Sequence, residues 1–461
     1  MLSPLARPAR RRTAHALAGL ALLLAVAQAV AAPIRPVPAP SDAAVEAMLA
    51  APADEIFALE AALPQIREPS LALLAQARLA AARLDAAQAR RLVDRFLAGG
   101  ERSPRQRALA WGIAADAAFA TGDYARAAKA ARQWQAALAQ AGSGKAEQEG
   151  AAQTAAVAAQ LAAAPAQRVV SYRPRPEPVH RDKVGLPRST VTIGGIAQEA
   201  VLDTGANLSV VSLSAARRLG LRLQGGAASV GSASRAAVAT RLGVADTLRF
   251  AGLTLRNVAF LVLDDEQLAM PVPGGYRIDA ILGFPVLREL RRFRITAAGR
   301  LEPSLPDAPM PGAAPGNLRL IGNDLFVQAE VGGQPAAMHL DSGGARSSLS
   351  ATFARRHADL LKGLRQRREH VAGAGGAVER SAATWPGARV RIGSHETVLA
   401  GLAVELAGGT GASPSVLGED VLGAFDWWSV DFARMELEFG PARTRAKHAP
   451  AVPSAGTSYA D

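Results

Sequence analysis

The sequence predicts a mainly β chain of two similar lobes standing behind an N-terminal α-helical domain. Three observations predict it. Apolar residues recur at helical spacing through an alanine-rich stretch, residues 42–165. After Val169 the texture changes to short alternating runs of β-branched residues separated by glycine turns. The β-rich part is also written twice: a strand, a Gly-Gly turn and a return strand end in Asp203-Thr204-Gly205 in one half and in Asp341-Ser342-Gly343 in the other.

Composition bounds the rest. The chain has 461 residues, room for about three folded units at roughly 150 residues each. Its 49% hydrophobic and 20% charged content fits globular domains and excludes a wholly disordered chain or a multi-span membrane protein. Lysine plus arginine outnumber the acids by 52 to 40, a net charge of +12, yet the only lysines are Lys129, Lys145, Lys183, Lys362 and Lys447. Arginines scattered along an alanine-rich sequence look like genomic compositional bias, and with 5% aromatics they do not form the basic, aromatic-studded face of a nucleic-acid binder. No nucleic-acid partner is therefore expected. Zero cysteines exclude disulfides, a thiol nucleophile and a thiolate metal site.

At the N-terminus, Arg7, Arg10, Arg11 and Arg12 precede an uncharged apolar run, Ala16 to Ala27, and small residues at Ala29, Val30 and Ala31. Residues 1–31 read as a secretory signal peptide cleaved after Ala31 or Ala29, sending the chain to the periplasm or the medium; an uncleaved anchor is the alternative. Loss of its four arginines lowers the net charge from +12 to +8. Thr13, Ala14 and His15 do not continue a twin-arginine pattern, and no later segment is long and apolar enough to span a bilayer once the signal is removed.

A linker, 32–41, leads to the helical domain, 42–165, where Asp85 and Asp123 are natural N-caps 38 residues apart. Trp111 through Leu138, with Phe119, Gly122, Asp123, Tyr124 and Ala127, resembles a tetratricopeptide-type hairpin; an unrelated helical bundle is the alternative. Gly142-Ser143-Gly144-Lys145 is a loop between helices and no phosphate loop, since Ala139 and Ala146 replace the required glycine and hydroxyl. A Pro/Arg-rich linker, 166–188, precedes the first lobe, 189–300. Pro303, Pro306, Pro309, Pro311 and Pro315 mark a second linker, 301–316, before the second lobe, 317–440, and a disordered tail, 441–461.

The two lobes agree in detail. The turn glycines Gly195 and Gly333 stand eight residues before Asp203 and Asp341, and nine residues after each aspartate comes a helix-capping serine, Ser212 or Ser350. Each following helix contains Ala-Arg-Arg, at 216–218 and 354–356. An apolar pair and a glycine then recur, Ile281-Leu282-Gly283 and Val416-Leu417-Gly418, beginning 78 and 75 residues past the aspartates.

This pattern resembles the retropepsin-like and pepsin-like aspartic proteases, as a bacterial chain with both lobes fused, over roughly residues 185–440. The resemblance implies a two-lobed acid-protease fold and an aspartic endopeptidase. Hydrolysing a peptide without metal or covalent intermediate takes one group to accept a proton from water and another to give one to the carbonyl oxygen. Two carboxylates sharing a proton do both. Carried over, Asp203 and Asp341 are the catalytic pair, Thr204 and Ser342 the hydroxyls that lock each loop to the other lobe, and Gly205 and Gly343 the close-approach glycines. Flaps would come from the stretches holding Gly231 and Ser232 and holding Gly373 and Gly375; neither offers a tyrosine. Ala206 and Gly344 stand where pepsin-like sites commonly have a hydroxyl donor, so the pair is expected to titrate higher than pepsin's, with activity from mildly acidic to near-neutral pH.

No cofactor or metal is expected, because the seven histidines show no close ligand pair and His339 is read as facing away from its lobe's core. The expected partner is a peptide or protein substrate, with the helical domain as a surface for a further protein. One aspartate per lobe makes a homodimer unnecessary. Two rivals use the same residues: a catalytically inactive, two-lobed peptide-binding module, and a trypsin-like site with Ser342 as nucleophile, which lacks the Gly before Asp341 and the Ala-Ala-His-Cys word. Glu419 and Asp420 read as a solvated helix start, and Trp427 and Trp428 as packing of the second lobe.

Overall fold

The computed structural model describes residues 39–225, 228–230, 238–270, 275–306, 316–373, 376–406 and 413–443. The expected signal peptide, and most of the tail and of the second linker, lie outside these residues. Among them no helix is long and apolar enough to cross a membrane.

Seven α-helices come first: α1 (Asp42–Ala50), α2 (Pro52–Ala62), α3 (Pro69–Ala82), α4 (Ala86–Ala98), α5 (Pro104–Ala120), α6 (Tyr124–Gln140) and α7 (Lys145–Ala163). Local chemistry sets their starts. Asp85 accepts from the Gln88 N–H at 2.9 Å and Asp123 from Arg126 at 3.3 Å, while Ser103 and Gln106 form a capping box. Proline opens α2, α3 and α5, where its missing N–H costs nothing. Of the tetratricopeptide resemblance, the structure supports the helices alone.

The first lobe follows as β1 (Arg168–Tyr172), β2 (Glu177–Pro178), β3 (His180–Arg181), β4 (Pro187–Ile193), β5 (Ile196–Leu202), β6 (Ser209–Ser212), α8 (Leu213–Arg218), β7 (Arg222–Leu223), β8 (Ala228–Val230), β9 (Val238–Phe250), β10 (Leu253–Leu263), β11 (Ala269–Met270), β12 (Tyr276–Arg277), β13 (Ala280–Leu282), α9 (Phe284–Leu287), β14 (Arg292–Thr296) and β15 (Arg300–Ser304). The second is β16 (Leu318–Ile321), β17 (Asp324–Val331), β18 (Gln334–Leu340), β19 (Ser348–Leu349), α10 (Ala351–Arg356), β20 (Gln366–Gly373), β21 (Gly376–Ile392), β22 (His395–Glu405), β23 (Ser415–Leu417), α11 (Glu419–Leu422), β24 (Trp427–Asp431) and β25 (Glu436–Phe439). The mainly β, two-lobed acid-protease fold behind a helical region is what the sequence predicts.

Each lobe threads its motif strand the same way. β13 lies parallel to β5 and antiparallel to β6; β23 lies parallel to β18 and antiparallel to β19. The segment 166–188, read as linker, is docked along its length: β1 pairs with β10, β2 with β15 and β3 with β4.

A third sheet, ordered β2-β15-β14-β24-β25, joins the lobes through the antiparallel pair β14 and β24. Trp428 is buried there edge-on to Phe293 of the first lobe, ring centres 5.8 Å apart, so it packs the junction of the lobes and not the second alone. One continuous apolar core runs through both lobes, from Val191 to Phe439. The helices have their own core, which also takes in Ile321 and Phe326 of the second lobe. Arg319, buried on β16, reaches Glu60 of α2, its Nε 2.9 Å from the carboxylate, and Arg356 of α10 pairs with Glu55.

Candidate active site

β5 and β18 deliver the two aspartate loops. Their N–H groups continue the strand pairing, Asp203 donating to the Leu282 carbonyl and Asp341 to Leu417, each at 3.0 Å. The adjacent hydroxyls tie the loops together. Thr204 Oγ1 donates to the Leu340 carbonyl at 2.8 Å and accepts from the Ser342 N–H at 3.0 Å. Reciprocally, Ser342 Oγ donates to the Leu202 carbonyl at 2.8 Å and accepts from the Thr204 N–H at 3.0 Å. Both side chains are buried, and all four bonds cross between the lobes. Ser342 is 0% exposed with its hydroxyl fully engaged, which removes it as a serine nucleophile.

The glycines permit this approach. A Cβ on Gly205 would meet the Asp341 carboxyl carbon at 2.8 Å, and one on Gly343 would run into the Asp203 carboxyl. The apolar-apolar-Gly words support the loops from behind. Gly283 N–H donates to Ser209 Oγ at 3.1 Å and Gly418 N–H to Ser347 Oγ at 2.9 Å, while the N–H groups of Phe284 and Glu419 donate to the carbonyls of Ala206 and Gly344 at 2.8 Å.

The two carboxyls therefore face one another at the junction, and both aspartates are half-buried. Asp203 Oδ1 accepts from the N–H groups of Gly205 and Ala206 at 2.8 and 3.1 Å; the N–H groups of Gly343 and Gly344 serve Asp341. Burial and the facing Asp341 hold Asp203 well above the usual carboxylate range, the Gly205 N–H opposing. Burial raises Asp341 too, while its bond with Asp203 favours its charged form. Both carboxyls are raised and they titrate together, so the pair holds one proton as a unit. Such a pair can take a proton from water and give another to a carbonyl oxygen.

An aspartyl protease family model matches residues 189–286. That span is most of the first lobe and contains Asp203. The crystal structure of a retropepsin-like aspartic protease from Rickettsia conorii is similar at 16% identity over 29% of this chain and 91% of that one, with a TM-score of 0.20. No curated protein matches the chain.

Asp203, Asp341, Thr204, Ser342, Gly205 and Gly343, named from the sequence, meet in one place. Of the flap residues, Gly373 ends β20 opposite Gly376, at the closed end of a long hairpin. Gly231, Ser232 and Gly375 lie outside the described residues, although β8 and β9 form the arms of the first hairpin.

Charged neighbours were read less well. Glu419 is buried, not solvated, 2.5 Å from Arg181 of β3. Burial pushes it up to about 7 against the pull of Arg181, and it lies close enough to feel the Asp341 charge. Asp420 accepts from the Ser347 N–H and hydroxyl at 2.9 and 2.6 Å. His339 does turn away from the core of its lobe, but it is half-buried, 3.7 Å from Asp324, which burial pushes up to about 6 against the His339 charge. The repeat held a signal for Glu419: it stands where the first lobe has Phe284, directly after the apolar-apolar-Gly word.

Proposed function

We propose that the chain is an aspartic endopeptidase that hydrolyses peptide bonds with a water activated between Asp203 and Asp341. The observation that carries this reading is the reciprocal four-bond lock of Thr204 and Ser342, which holds one carboxyl from each lobe face to face. The ionised carboxylate of the pair accepts a proton from the water as the water oxygen attacks the scissile carbonyl carbon. The protonated one gives its proton to the carbonyl oxygen, yielding a neutral tetrahedral diol. Return of a proton to the nitrogen lets the C–N bond break and releases an acid and an amine. Like charges in contact do not both ionise readily, so the pair keeps one proton over a wide pH range and works from mildly acidic to near-neutral conditions.

On this reading the lobes pair within one chain, the hairpins β8–β9 and β20–β21 cover the substrate, and residues 1–31 export the enzyme to the periplasm or beyond. The test is cleavage of a complex peptide library between pH 3 and 8, read by mass spectrometry, with and without Asp203→Asn and a statine-containing transition-state analogue. Cleavage abolished by both supports the proposal. Cleavage that survives the substitution, or tight peptide capture without any cleavage, overturns it, the latter in favour of a binding module.

A further inference from the structure

Asp203 lies on one face of the first-lobe sheet. Side chains alternate along a strand, so Val201 shares the face of Asp203 while Leu202 points the other way. Register carries that face sideways: Val201 is level with Ile281, Ile281 with Val210, Val210 with Leu261, and Leu261 with Leu242. These five side chains belong to one apolar cluster, whereas Leu202, Leu282, Val211 and Val262 belong to the core of the lobe. Ala206, whose N–H donates to Asp203, packs against the same cluster. The row is an apolar wall beside the aspartate.

That wall is buried within the chain, and Leu268, Tyr276 and Ile278 of the first lobe belong to its cluster. Val157 and Leu161 of α7, four residues apart and so on one helix face, are members of the same cluster, with Phe119 of α5 and Tyr124 of α6 packed against it. Val201 is only 1% exposed, and Val210 and Ile281 8%. α7 also packs against β8, an arm of the first hairpin. At the second lobe, Phe326 lies within the helical core, and Phe326 is level with His339, on the Asp341 side of β18. The two attachments differ in kind: α2 holds the second lobe by Glu60–Arg319 and Glu55–Arg356, whereas α7 meets the first through apolar side chains of an alanine-rich helix.

We infer that α7 is an internal cover of the substrate wall, holding the chain at low activity until it leaves. The inference presupposes the protease activity proposed above. Its release requires no covalent step, only a competitor for the apolar row or a partner for the apolar face of α7.

The test uses the full chain. With a statine-containing analogue bound, amide hydrogen exchange over residues 145–163 should accelerate while α1 to α4 stay protected. Val157→Asp with Leu161→Asp should raise kcat/KM on a quenched fluorescent peptide at least about tenfold, the gain for a competent state populated one time in ten or less. A second form guards against misfolding: a sequence-specific protease site inserted between Ala164 and Gln167 and cut after purification should show the same gain. Wild-type activity equal to that of both released forms, with α7 protection unchanged by saturating analogue, overturns the inference and leaves the protease reading standing. Failure of every form to cleave or to bind the analogue removes that reading, and the inference with it.

Discussion

Beside its aspartate, the first lobe sets Val201, Ile281 and Val210; at the matching register positions, the second sets His339, Val416 and Ser348. After the supporting glycine the first lobe continues with Phe284, edge-on to Phe432, and the second with Glu419, ion-paired to Arg181. Yet the hydrogen bonds that build the two loops correspond one for one: Thr204 with Ser342, Ser209 with Ser347, Gly283 with Gly418. Groups that fix backbone geometry are repeated because two loops related by a near two-fold can lock only with like partners. Groups beside the loops are free of that constraint and have diverged, apolar next to Asp203 and polar at His339 and Ser348 next to Asp341.

The comparison breaks first if the aspartates are unequal. Asp203→Asn and Asp341→Asn should each lower kcat by about 10³-fold or more, since each removes half of one acid–base unit. Both carboxyls are raised in the folded state, so the fold binds protons that the unfolded chain releases, and its stability falls as pH rises from the ordinary carboxylate range into the raised one. The same variants should therefore melt higher than wild type at neutral pH, by calorimetry, although they are inactive.

Next comes the lock. Thr204→Val and Ser342→Ala each leave a buried N–H and carbonyl without partners and should cost about 2–3 kcal/mol in denaturant unfolding, whereas Ser342→Thr should be milder. Unequal losses from Thr204→Val and Ser342→Ala would show that one lobe holds the other rather than both sharing the junction.

The Glu419–Arg181 pair predicts a smaller, pH-dependent effect. Glu419 titrates at about 7 in the fold, above its ordinary value of 4.5, so it subtracts stability as pH rises through that interval. Glu419→Gln should flatten the stability profile there. Arg181→Ala should steepen it and extend it above pH 7, at a cost of roughly 1–3 kcal/mol at pH 8, because a buried carboxylate loses its counter-charge. The smallest effect belongs to Ala206→Ser, whose hydroxyl stands beside Asp203 and should move the pH–rate profile down by up to about one unit.

The frame of this site was legible in the sequence because it is made of residues with few alternatives. Two Asp-hydroxyl-Gly words, each after a strand and each followed by an apolar pair and glycine, leave little freedom of arrangement. The caps Asp85, Asp123, Ser212 and Ser350 were legible for the same reason, and each accepts the N–H its position predicts. Partners distant in sequence were not. Nothing local announces that Arg181 meets Glu419 across 238 positions, and an ion pair leaves no periodicity. Prolines hid the strands of 166–188, since proline is tolerated at sheet edges, where β2 pairs through Pro178.

The central claim is that one chain holds one site, with an aspartate from each lobe. Mixing Asp203→Asn chains with Asp341→Asn chains at equal concentration, refolding them together and assaying peptide cleavage tests it most directly. The account predicts no recovery at any ratio or concentration, because neither chain carries a complete pair. Recovery that grows with protein concentration, toward a fraction of the wild-type rate, would mean that lobes pair between chains and would contradict it.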